Sequence, residues 1–124
     1  MPSRKYSVLI VEDDQMILDM YCIKLQIEGY DVMTAPNGKV GFEMAKEKNP
    51  HLILLDVIMP EMDGFSVLRK LKNEEITQSI PVILLTNLGQ DGDVQKGYQL
   101  GAVDYLIKAN YTPSQVVEKV KSYL

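Results

Sequence analysis

Three consecutive acidic residues, Glu12, Asp13 and Asp14, close a short apolar run near the start of the chain, and a lone aspartate, Asp56, closes another. Thr86 and Lys108 follow two later runs of the same kind. Carboxylates gathered at one place repel each other and lose hydration, so such a cluster is costly unless a cation joins it. A hard divalent ion such as magnesium, with oxygen ligands and retained waters, meets that need. With the ion in place, one carboxylate can attack a phosphoryl group while the metal and a lysine neutralise the charge gathering on its oxygens. Thr86 adds a hydroxyl donor for one of those oxygens. Singly, these residues have plainer roles: Asp13 or Asp14 as a helix N-cap, Thr86 as an ordinary strand end, Lys108 as surface charge. The case for chemistry is their common placement.

That placement depends on the elements around them. The apolar runs cover residues 6–11, 30–34, 52–55, 82–85 and 104–107, and several are apolar at nearly every position, the pattern of parallel strands covered on both faces. Amphipathic stretches at 14–28, 38–48, 64–74, 91–100 and 112–123 predict helices. Gly29 and Gly101 stand just past two of them, and Pro113 occupies a first helical position. Strand and helix alternating five times predict a doubly wound α/β fold, a five-stranded parallel sheet with five helices placed on both faces by right-handed crossovers. In such sheets a site forms at the carboxyl ends of the strands. Four of the five strand ends carry the residues above.

Composition narrows the possibilities. With 124 residues, 46% of them hydrophobic, the chain is expected to form a single domain over 1–124 around one core. Net charge is −4 and the 13 basic residues are scattered, so no direct nucleic-acid contact is expected. The six mostly apolar residues before Glu12 are too few for a signal-peptide core or a membrane span, which predicts a cytoplasmic protein without a membrane partner. One cysteine, Cys22, and one histidine, His51, provide neither an internal disulfide nor zinc-site spacing.

Four segments together form a specific signature: VLIVEDD at 8–14, LLDVIMPEMDG at 54–64, PVILLT at 81–86 and GAVDYLIK at 101–108. The chain resembles, over nearly its whole length, the CheY-like receiver domains of bacterial response regulators. The resemblance implies a flavodoxin-like sheet of order 2-1-3-4-5 and a stand-alone, phosphorylation-dependent signalling switch of a two-component or phosphorelay system. Asp56 is then the phospho-acceptor. Glu12 and Asp13 are the acidic pair for magnesium, Asp13 as a direct ligand and Glu12 through water, and Ile58 offers the metal its backbone carbonyl. Thr86 and Lys108 bind the phosphoryl oxygens, and Tyr105 is the aromatic switch that turns inward as Thr86 moves. The donor is a sensor histidine kinase, a histidine phosphotransfer protein or a small phosphodonor, and a downstream protein target reads the face of the fourth and fifth helices. With no effector domain expected after Leu124, the expected output is a protein contact, a further phosphotransfer or an activity elsewhere in a longer chain. On this reading the protein is no enzyme, promoting only its own aspartyl phosphorylation and dephosphorylation.

The chain departs from the family pattern at Ala109, where proline usually follows the lysine. A cis bond before alanine costs about 2.5–4 kcal/mol, so a trans bond and an altered loop are expected. Gly92 and Gly97, each costing up to about 1 kcal/mol relative to alanine, make the fourth helix the softest. In the first helix, angular spacing directs Ile17, Met20, Tyr21 and Leu25 to the core and leaves Leu18 and Cys22 on the flank where the resemblance puts donor docking. His51 reads as a surface loop residue, and the methionines as core filler, with Met59 and Met62 flanking the site loop. Two other functions compete. A magnesium-dependent aspartyl-phosphate phosphatase of the haloacid dehalogenase type would also use Asp56, but it needs a second aspartate where Ile58 stands. A nucleotide or flavin binder needs a glycine-rich loop where the acidic triplet stands.

Overall fold

The computed structural model describes residues 5–124. Along the chain lie β1 (Ser7–Val11), α1 (Gln15–Ile27), β2 (Asp31–Ala35), α2 (Gly38–Lys48), β3 (Leu52–Leu55), α3 (Gly64–Lys72), β4 (Val82–Thr86), α4 (Asp91–Gln99), β5 (Asp104–Ile107) and α5 (Pro113–Ser122). A 3₁₀ turn, Lys108–Asn110, separates the last two. All strand pairs are parallel and their order is β2-β1-β3-β4-β5, the doubly wound order expected. The connections reverse direction between β1 and β3, so their carboxyl ends form the crevice in which this fold class places its ligands.

Alternation along each strand divides the core in two. Leu9, Val11, Ile53, Leu55, Val82 and Leu84 face one way, against Phe42 and Ala45 of α2 and Phe65, Leu68 and Leu71 of α3. Val8, Ile10, Leu52, Leu54, Ile83 and Leu85 face the other, against Leu18, Tyr21 and Leu25 of α1 and Val116, Val117 and Val120 of α5. Burial on both faces is why the strands read as continuous apolar runs.

Helix ends follow local chemistry. Asp14 caps α1, its carboxylate accepting from the amides of Met16 at 3.0 Å and Ile17 at 3.2 Å, and Gly29 leaves that helix at φ 94°, a conformation that favours glycine. Thr112 and Gln115 form a reciprocal capping box at α5, with Pro113 in its first turn. The stretch 64–74, expected to be helical throughout, ends at Lys72. There the buried Thr77 hydroxyl donates to the Leu71 carbonyl at 2.6 Å, and the Lys72 ammonium donates to the carbonyls of Gln78 and Ile80 at 3.0 and 2.9 Å. These bonds fold the segment back as a turn.

One expectation needs an addition and one a correction. His51 lies in the loop before β3, as expected, but it is half-buried: its Nδ1 lies 3.0 Å from the Ser7 amide and 3.1 Å from the Ser7 hydroxyl, and its ring meets Tyr6 edge-on at 5.1 Å. It pins the start of β1 to the entry of β3. Leu18, placed on the α1 flank, is only 3% exposed and packs in the core, whereas Ile17 and Met20 are half-buried. The helix is apolar around most of its circumference, so periodicity alone did not decide which arc its neighbours cover. Among the described residues no helix is long and apolar enough to cross a membrane.

Candidate functional site

The site lies at the β1–β3 reversal. The ladders run one step past the strands: the Glu12 amide donates to the Ala35 carbonyl at 3.1 Å, and the Asp56 amide to the Val11 carbonyl at 3.0 Å. Both backbones are therefore fixed, and both side chains are buried. Asp13, between Glu12 and the capping Asp14, is exposed. Glu12, Asp13 and Asp56 each bring a carboxylate oxygen within 4.8 Å of the others. With Asp14 engaged as the cap of α1, Asp13 is the one of these two aspartates whose oxygen joins the cluster.

Lys108 crosses from β5 to meet the two buried acids. Its ammonium stands 2.5 Å from Glu12 Oε1 and 3.2 Å from Asp56 Oδ2. The second oxygen of Glu12 accepts from the Asp14 amide at 3.1 Å, and the second oxygen of Asp56 accepts from the Ile58 amide at 3.3 Å. Burial pushes the Glu12 carboxyl up to about 7, against the opposing pull of its hydrogen bonds from Lys108 and Asp14, with the Asp56 charge raising it further. Burial alone would lower the Lys108 ammonium, but the bond to Glu12 and the charges of Asp56 and Glu12 outweigh it and hold it above its ordinary value. One ammonium against three carboxylates leaves excess negative charge, and an all-oxygen donor set of this kind suits magnesium.

Thr86 ends β4 fully buried, its hydroxyl oxygen accepting from the Leu88 amide at 3.3 Å while keeping its proton for donation. Tyr105 on β5 is buried against Leu84 and the backbone of Gly97, where an added Cβ would lie 2.8 Å from the Tyr105 ring. Its hydroxyl donates to the Leu88 carbonyl, and burial, with the charges of Asp93 and Asp56, pushes it up to about 12. Leu88 thus contacts both Thr86 and Tyr105. Ile58 reaches Asp56 through its backbone amide, and its side chain is 57% exposed. Met59 is buried in the core, while Met62 is half-buried over Gly38.

The loop from β3 to α3 is tightly constrained. Met62 donates to the Pro60 carbonyl at 2.8 Å across Glu61, whose φ of 67° is costly for a residue with a side chain. The chain then passes so close to Asp56 that a Cβ on Gly64 would lie 2.2 Å from its carbonyl oxygen. The Lys108–Ala109 bond is trans, as every described peptide bond is. Sequence reasoning did not single out Asn87, whose side-chain oxygen accepts from the Ala109 amide at 3.1 Å. The signal was present, since an Ala after Lys108 restores a backbone donor that proline lacks.

A family model for the response regulator receiver domain matches residues 8–121. The chain is 40% identical over 117 residues to the DNA-binding dual master transcriptional regulator RpaA of Synechocystis, covering 94% of this chain and 48% of that protein. It is 45% identical over 101 residues to the response regulator PleD of Caulobacter vibrioides, covering 82% of this chain and 22% of that one. It therefore spans about half the length of RpaA, and less of PleD. The crystal structure of the chemotaxis protein CheY4 of Vibrio cholerae superposes with a TM-score of 0.91 at 28% identity, covering 98% of this chain and 100% of that one.

Proposed function

Because this chain belongs to the response regulator receiver domains, we propose that its switching chemistry runs through Asp56 as the phospho-acceptor. Family membership makes the chain a phosphorylation-dependent signalling switch, and the phosphatase alternative is not favoured. The observation that carries the assignment is the Lys108 ammonium held at Asp56 beside two further carboxylates. Glu12 and Asp13, with the backbone carbonyl of Ile58, would hold magnesium, Asp13 directly and Glu12 through water. When bound, the ion neutralises charge on the phosphoryl oxygens and orients them for in-line transfer.

An Asp56 carboxylate oxygen attacks phosphorus, the bond to the donor nitrogen breaks, and the phosphoryl group ends on Asp56. Lys108 shifts its ammonium from the carboxylates to a phosphoryl oxygen, and Thr86 donates its hydroxyl proton to another. Movement of Thr86 pulls on the Leu88 amide, and Leu88 is also the acceptor for Tyr105. The switch therefore passes through Leu88 to Tyr105 and to α4, which packs on the tyrosine ring. The donor is a sensor histidine kinase or histidine phosphotransfer protein, and the reader is a protein contacting α4 and α5. The domain promotes only its own phosphorylation and dephosphorylation, acts in the cytoplasm, and needs no nucleic-acid contact of its own.

The test is to add beryllium fluoride and magnesium, a mimic of the aspartyl phosphate, and follow the amide spectrum. Shifts at the strand ends, in 86–100 and at Tyr105 are expected. An unchanged spectrum would contradict the assignment.

A further inference from the structure

The paired register of β4 and β5 ends at Thr86 and Ile107. Beyond that rung the strands part, with Thr86 the last residue of one and Lys108 the first residue after the other. A hydrogen bond crosses the gap. Oδ1 of Asn87 accepts from the Ala109 amide at 3.1 Å, so a side chain continues the ladder one step after the backbone has left it. It joins the residue that follows Thr86 to the residue that follows Lys108.

The bond matters because of how Lys108 is carried. β5 is an edge strand with β4 alone beside it. Lys108 opens a 3₁₀ turn of three residues, closed by the Tyr111 amide on the Lys108 carbonyl at 3.3 Å. So short a turn with so long a bond is a weak anchor. From it a flexible side chain must bring its ammonium within reach of both Glu12 and Asp56. Asn87 approaches from the other side, directly after the fully buried Thr86, and ties the turn to a fixed part of the sheet. The tie requires an amide hydrogen at residue 109, which alanine has and proline lacks.

We infer that Asn87 is a positioning residue for phosphoryl transfer, acting through the Ala109 amide to hold the Lys108 ammonium at Asp56. The inference rests on Asp56 being the acceptor. Labelling by radioactive acetyl phosphate at saturating magnesium is compared in wild type, Asn87→Ala, Lys108→Met and the double variant, with Asp56→Asn as the control for the labelled residue. Asn87→Ala should slow labelling about fivefold, the factor corresponding to one ordinary hydrogen bond, and should add no further loss once Lys108 is methionine. The Ala109 amide should exchange faster with solvent in Asn87→Ala and regain protection in Asn87→Asp, which keeps an acceptor oxygen. An unchanged rate in Asn87→Ala, or an equal loss with and without the Lys108 ammonium, overturns the positioning role and leaves Asp56 as acceptor. Label that survives Asp56→Asn overturns the acceptor assignment and the inference with it.

Discussion

The Lys108 ammonium faces the Asp56 carboxylate at 3.2 Å, across 52 residues of sequence. Both side chains are largely withdrawn from water, so the pair is screened less than one on the surface. A buried pair draws its strength from its further hydrogen bonds, and here these come from Glu12 and the Ile58 amide. The arrangement is short of positive charge.

Adjacent aspartates should separate metal binding from helix capping. Asp13→Asn removes a charge from an exposed position of the cluster, so magnesium affinity should fall sharply while thermal stability stays nearly constant. Asp14→Ala removes the α1 cap and should cost about 1 kcal/mol of stability, with magnesium affinity little changed. Calorimetric titration and thermal melts on both variants check this, and a reversed pattern would exchange the two roles.

Magnesium binding should depend on pH near neutrality. Burial raises Glu12 to about 7, so without metal it carries a proton through much of the range below that value. The metal requires the carboxylate, and binding must expel that proton. Raising the pH from about 6 to about 8 removes the competition, so affinity rises with pH. Titrations across that range should show the increase in wild type and a flatter profile in Glu12→Gln. A flat wild-type profile would count against a protonated Glu12.

Gly64→Ala should disable the switch more than its small size suggests. The new Cβ would lie 2.2 Å from the Asp56 carbonyl oxygen and 2.7 Å from Val57 Cα, both backbone atoms with little room to yield. Overpacking of this kind costs about 1–3 kcal/mol, and it displaces the segment that carries Asp56. Slower acetyl phosphate labelling together with a lowered melting temperature is expected. Wild-type values for both would mean that the loop relaxes freely.

The lifetime of the phosphoryl group should depend on Ile58. Its apolar side chain is exposed two residues beyond Asp56, and an apolar group cannot orient an attacking water by hydrogen bonding. Ile58→Asn should lose the group faster, and a tenfold change would correspond to about 1.4 kcal/mol in the barrier. Leu88 is a poorer probe, because it packs on the core and its carbonyl holds Tyr105. Decay measured without a partner at saturating magnesium decides the matter: an unchanged rate would mean that the apolar character of Ile58 does not set the lifetime.

Much of this was legible in the sequence because its signals were redundant. The apolar run 52–55 and the terminal acids Glu12 and Asp56 announced strand, rim and charge together, and Gly29, Gly101 and Pro113 marked helix ends by backbone chemistry that tertiary context seldom overrides. Features that depend on which neighbour arrives were harder to read. Leu18 shares a buried cluster with residues of β1 and α5, and no periodicity within the helix reveals which arc such neighbours cover. His51 bonds Ser7 from 44 residues away, and Asn87 meets Ala109 from 22 away. The open choice between Asp13 and Asp14 as cap was settled by geometry, since one carboxylate turns back onto the helix amides and the other joins the cluster.

Phosphoryl transfer to Asp56 is tested most directly by covalent labelling. Acetyl phosphate with magnesium should attach one acid-stable, alkali-labile phosphoryl group per wild-type chain, mapped by fragmentation to Asp56, and none to Asp56→Asn, whose melting behaviour should show an intact fold. Stoichiometric label on Asp56→Asn, or label on wild type mapped to Asp13 or Glu12, would contradict the account.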